Sequence, residues 1–111
     1  MYETNVTVVG RLAADVSWSR FGDGTVVANF RVASTERRYD RATGGWIDGE
    51  KLFVDVRCWR RLAENAGASL VKGDPVVVTG KLYSRNYEHE GQRRTAVTVD
   101  AENIAADLAR C

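Results

Sequence analysis

The 111-residue sequence predicts an all-β fold with one helix, laid out as three strands, a helix and two strands. Three observations lead there. Residues 53–59 alternate in type, with Val54, Val56 and Cys58 on one face and Phe53, Asp55, Arg57 and Trp59 on the other, the period of a half-buried strand. The period then lengthens: Leu62, Ala66 and Leu70 recur every four residues, as in one apolar stripe of a short helix packed on a sheet. Lys72, Gly73, Asp74 and Pro75 end that helix, because a cation near a C-terminus, a glycine able to take positive φ and a proline beyond are the physical marks of a helix stop. Pro75 also opens the next strand, residues 76–82, at the one position where no ladder donor is needed.

In chain order, residues 5–12 read as a first strand, Val6 and Val8 sharing a face and Gly10 marking a bulge or a close backbone approach. Residues 15–23 are less regular, and Phe21, Gly22, Asp23 and Gly24 form a turn cluster. Trp18, in this segment, is expected to cover the core or a subunit contact. Residues 26–38 form a long second strand with Ala28, Phe30, Val32 and Ser34 on one face and Asn29, Arg31, Ala33, Thr35 and Arg37 on the other. Residues 39–51 carry turn chemistry and are expected to be an exposed loop or flexible hairpin, with Trp46 either packed back on its scaffold or available to a ligand. After the helix, the fourth strand continues past Leu82, with Lys81, Tyr83, Arg85 and Tyr87 on the face of Val77 and Thr79. A turn over 88–92 leads to a fifth strand, 94–104, with Val97 and Val99 on one side and Ala96 and Thr98 on the other. This order is that of a five-stranded, partly open OB-fold barrel whose helix plugs one end.

One domain is expected at this length, and no run approaches the roughly 20 apolar residues of a membrane span. No basic stretch followed by an apolar one opens the sequence, so the expected compartment is the cytoplasm. The two cysteines lie far apart; Cys58 reads as a small, reduced core side chain. Sixteen Lys and Arg against fifteen Asp and Glu leave a net charge of +1, but the basic residues crowd the middle while Asp100, Glu102 and Asp107 load the end with acid. The sole histidine, His89, falls in a turn with no nucleophile beside it, and neither a phosphate loop nor metal-ligand spacing is present. No catalytic role, cofactor or metal is expected.

What the chain offers is one polar face over several strands, where Asn29, Arg31, Arg37, Arg57, Lys81 and Arg85 mix with Phe53, Trp59, Tyr83 and Tyr87. Rings stack on any base and cations follow phosphates, so the mixture suits a single strand with exposed bases better than a closed duplex.

Over nearly its whole length the chain resembles the bacterial single-stranded DNA-binding protein family, through NVTVVGRL, GTVVANFRVAS with the later DRATGG, and RRLAENAGASLVKGDPVVVTGKL. The resemblance implies an OB-fold domain over residues 1–106, a homotetramer wrapped by single-stranded DNA, and a nucleoid-associated role in replication, recombination or repair. It implies stacking at Phe53, Trp59 and Tyr87, and polar or cationic contacts at Asn29, Arg31, Arg41, Arg61, Lys72 and Arg85. There are three departures. Where relatives often carry a tryptophan after the second strand, this chain has Arg38 and Tyr39, which transfers stacking to Tyr39 or to a guanidinium plane. Asp55 puts a carboxylate on the binding face, which repels phosphate unless an arginine pairs with it. Residues 107–111 form a short end without the linker and acidic tip by which relatives recruit replication and repair proteins, as expected of a tail-less paralogue or a shortened version. Two other readings stay open: an OB module for RNA, and a protein-interaction component of a primosome-like assembly.

Overall fold

Alternating valines meet from opposite strands: Val32, Val54, Val56, Val76, Val78 and Val99 are all buried, around Phe30 and Leu12. The computed structural model describes residues 3–110. Its strands are β1 (Asn5–Leu12), β2 (Ser17–Arg20), β3 (Val26–Asp40) and β4 (Gly45–Trp59), followed by the helix α1 (Arg60–Ser69), then β5 (Pro75–His89) and β6 (Gln92–Ala106). The sheet order is β1-β5-β6-β4-β3-β2, and a pairing of β1 with β3 closes the first five into a ring. That ring is the OB fold. Closure is narrow, resting on Arg11 opposite Ala33 and Leu12 opposite Val32, so the rest of β1 has β5 on one side only.

The ring closes tightly enough to require glycine twice. A Cβ on Gly10 would lie 2.4 Å from the Ala33 carbonyl oxygen, and one on Gly80 would lie 2.1 Å from that of Asp100. Gly10 is therefore a close-approach position. Gly80 sits at the β5–β6 register shift, where Thr79 pairs with Asn103 and Gly80 with Ala101, leaving Glu102 as the extra residue.

Three features differ from the sequence expectation, and one open alternative is settled. The irregular segment contains a strand: β2 pairs with β3, Trp18 opposite Ala28, but all four of its residues are exposed, so it shows no alternation of burial. Trp18 lies against α1, close enough that a Cβ on Gly67 would meet its ring at 3.4 Å, while the residue stays 58% exposed. Of the two alternatives for residues 39–51, loop or hairpin, the structure has the hairpin: β3 and β4 stay paired, across one register shift, out to Asp40 opposite Gly45. The helix buries Ala63 and Ala66 most deeply, and Leu62 and Leu70 only flank the core, since the small residues let α1 approach the sheet. On β6 the neighbours Thr98 and Val99 are both fully buried while Val97 is 36% exposed, Thr98 sitting between Asp55 of β4 and Tyr83 of β5.

The handover from β4 to α1 uses no glycine: Trp59 is extended and Arg60 takes a φ of 59°, a left-handed conformation that strains a side-chain-bearing residue. At the other end the Leu70 N–H donates to the Ala66 carbonyl at 2.9 Å, Gly73 has a φ of 93°, and Pro75 begins β5. Cys58 is fully buried, as expected, and burial pushes its thiol up to about 11. Cys111 lies outside the described residues.

Candidate nucleic-acid interface

Core residues on each strand turn their sequence neighbours outward, so the register fixes the outer face row by row. On β3 and β4 the outward pairs are Asn29 with Arg57, Arg31 with Asp55, Ala33 with Phe53 and Thr35 with Lys51. β6 runs parallel beside β4, bringing Thr98 next to Asp55 and Asp100 next to Arg57. β5 completes the rows with Tyr83 opposite Thr98, Lys81 opposite Asp100, and Arg85 and Tyr87 further along. Asn29, Arg31, Phe53, Arg57, Trp59, Lys81, Arg85 and Tyr87 thus share one sheet surface, as the alternation indicated.

The rings on this surface are accompanied by cations. Arg57 lies over the Trp59 ring at 5.1 Å and Arg85 over Tyr87 at 5.9 Å, while Phe53 is 51% exposed. Such pairing holds a flat ring and a flat guanidinium where a base can stack on either.

The acids fold onto the same face. The expected separation of a basic middle from an acidic end does not survive in three dimensions, because the β6 carboxylates arrive beside the arginines. Arg31 Nε meets Asp55 Oδ1 at 3.0 Å, so the carboxylate that threatened to repel phosphate is paired. Arg57 Nη1 donates to Tyr83 Oη at 3.0 Å, and that hydroxyl donates to Asp100 Oδ1 at 2.9 Å. Burial, then the hydrogen bond to Asp100, holds the Tyr83 phenol above its ordinary range. Lys81 Nζ donates to Asn5 Oδ1 and lies 3.9 Å from Glu102. Asp100, noted in the sequence only as part of an acidic end, and Asn5 were not read as site residues: nothing in one strand's pattern reveals a partner supplied by another.

The remaining candidates lie beyond these rows, toward the hairpin tip and around the helix. Tyr39 and Arg38 lie on the outer part of the β3–β4 hairpin, where Tyr39 meets Trp46 edge to face at 5.7 Å and Arg38 pairs with Ile47 on the reverse side. Arg41 is in the hairpin's end turn, Arg61 in the first turn of α1, and Lys72 in the loop after it, its N–H held by Asp15 Oδ1 at 2.8 Å. All three are exposed. Among the described residues no group of three or more His, Cys, Asp or Glu is placed to hold a metal ion, and no helix is long and apolar enough to cross a membrane.

A five-stranded ring with one helix and an outer face of paired cations and open rings defines an OB-type domain. More particularly, residues 3–107 match the single-strand binding protein family, and the chain belongs to it. A single-stranded DNA-binding protein of Corynebacterium glutamicum is 47% identical over 107 residues, covering 96% of this chain and 48% of the relative. Its counterpart in Mycolicibacterium smegmatis is 47% identical, covering 96% of this chain and 65% of the relative. The chain therefore spans about half to two-thirds of the length of these curated relatives. Among solved structures, the small single-stranded DNA-binding protein of Streptomyces coelicolor superposes with a TM-score of 0.91 at 41% identity, over 100% of both chains. The second single-stranded DNA-binding protein of Mycobacterium smegmatis gives 0.77 at 40%, over 99% of this chain and 94% of the other.

Proposed function

We propose that this chain binds single-stranded DNA without strong sequence preference, as a non-enzymatic homotetramer in the nucleoid, protecting strands exposed in replication, recombination or repair. The observation that carries the reading is the outer face on which Phe53, Trp59 and Tyr87 stand among Arg31, Arg57 and Arg85. Bases stack on the rings and backbone phosphates meet the guanidiniums, with no cofactor or metal required. Family membership and the names of the relatives support the same ligand. For assembly, the support is β1, whose second edge over residues 5–10 has no strand partner among the described residues and so offers ladder groups to a second copy. Replication and repair proteins become partners where a longer form of the chain carries an acidic tip.

Titration of an oligo-dT strand at several salt concentrations tests this. The logarithm of the affinity falls with the logarithm of salt by about 0.7 per phosphate neutralised, and a matched duplex binds far more weakly. A flat salt response, or preference for the duplex, removes the proposal. A matched RNA that outcompetes the DNA selects the RNA reading, and retained oligomerisation with no oligonucleotide bound at low salt selects the protein-interaction reading. Light scattering at micromolar concentration reports the oligomer, and a monomer there overturns the assembly claim.

A further inference from the structure

The outer hairpin carries a pair of aromatic rings that the face described above does not use. Tyr39 and Trp46 are 54% and 64% exposed, and their planes meet at 74°. Which side of the hairpin they occupy depends on one irregularity. Thr35 pairs with Lys51, but the next outward residue of β3, Arg37, pairs with Asp48, so β4 carries one extra residue across Gly49 and Glu50. Counting by twos from Phe53 gives Lys51, Gly49 and Ile47, which would leave Trp46 on the reverse side. The bulge exchanges the faces, and β3 has no matching insertion, so Trp46 and Tyr39 emerge on the side of Phe53, Lys51 and Arg37. The surface clefts agree with this parity: one is lined by Ala33, Thr35, Arg37, Asp48 and Lys51, and another by Arg37 with Trp46. Ile47 and Arg38 take the opposite side.

We infer that Trp46, edged by Tyr39, is an additional base-stacking site that continues the Phe53 surface outward along the hairpin; this rests on the single-stranded DNA reading. Six strand steps separate it from Phe53, about 20 Å at the usual rise, so a bound strand reaches it only after crossing Lys51 and Arg37. The chemistry favours a base over a protein anchor. Arg37, its Nε 3.9 Å from Asp48, lines a cleft with Trp46, and an edge-on partner holds Trp46 while leaving its exposed surface to a flat ligand. The competing explanation is a cross-strand pair that only staples the hairpin end.

Oligonucleotide length separates the two. Oligo-dT strands from about 4 to about 16 nucleotides span the site sizes of one OB fold. Trp46→Ala is expected to bind the shortest strands as the unaltered protein does and the longest roughly tenfold more weakly, with Trp46→Phe restoring most of the loss. Phe53→Ala weakens both lengths. Equal affinity of Trp46→Ala and the unaltered protein at every length overturns the inference, as does an equal loss at all lengths accompanied by early melting. A change in oligomer mass on Trp46→Ala assigns the rings to a subunit contact and also overturns it. Failure of the unaltered protein to bind any of the strands sinks the DNA reading itself, an outcome distinct from the rest.

Discussion

The two ends of the β3–β4 hairpin are made from the same pair of strands and answer to different constraints. In the inner half, Ala28, Phe30 and Val32 face Cys58, Val56 and Val54 in register and all six are buried. A slip of one residue there would turn every one of them to solvent, so the core holds the register. In the outer half, from residue 36 to residue 53, no side chain is buried. Its register is held by the end turn, where Asp40 accepts hydrogen bonds from the Gly44 N–H at 2.9 Å through its carbonyl and from the Ala42 N–H at 3.1 Å through its carboxylate. The difference teaches where function has room to vary: the buried half fixes shape, and the exposed half is free to place rings and charges.

The largest expected effect lies in the inner half. Phe30→Ala removes a core ring and is expected to lower the unfolding free energy by about 3–5 kcal/mol, read by urea or thermal melts. A loss below about 1 kcal/mol would break the contrast. Next come the outward rings: Phe53→Ala and Tyr87→Ala are each expected to weaken single-stranded DNA by roughly ten- to a hundredfold with melting unchanged and little dependence on salt. If both melt early while the folded fraction binds normally, the rings are packing residues. A smaller effect of opposite sign is expected at the paired acid. Asp55→Asn releases Arg31 for a phosphate, so binding tightens by roughly threefold at low salt and the salt slope steepens by about 0.7. Stability changes little, because the pair is partly solvated.

A last effect, read in stability rather than in binding, belongs to Cys58. Its pKa is raised from 9.0 to about 11, so the fold favours the neutral thiol. The associated stability is complete below about pH 9 and is lost as pH rises toward 11, where the unfolded chain ionises first. Urea melts at pH 8 and pH 10.5 are expected to show a larger alkaline decline in the unaltered protein than in Cys58→Val.

The legible parts of the sequence were those where burial imposes a period. The alternation of Val54, Val56 and Cys58, the helix stop at Gly73 and Pro75, and the shared face of Asn29, Arg31, Phe53 and Arg57 follow from local pattern alone. β2 escaped because it lies exposed along its whole length, and the outer hairpin stayed one of two alternatives because Gly44, Gly45 and Gly49 suit a loop equally when no core contact shapes their neighbours. The hydrogen bonds from Arg57 through Tyr83 to Asp100 depend on a parallel pairing of β4 with β6, a long-range choice that neither strand records in its own composition. Trp46 was undecidable for a related reason: its side is set by a single unpaired residue.

That single residue imposes a rule on how the hairpin tolerates change in length. Insertions or deletions of two residues on either strand, matched by the other, move the aromatic corner along the arm and leave it on the same side. A change of one residue carries Trp46 and Tyr39 apart or turns them together onto the side of Ile47, with no effect on the buried half. The reach of the aromatic corner is thus adjustable in steps of two, and a relative whose hairpin differs by an odd number of residues has to restore the parity with another bulge or find its rings elsewhere.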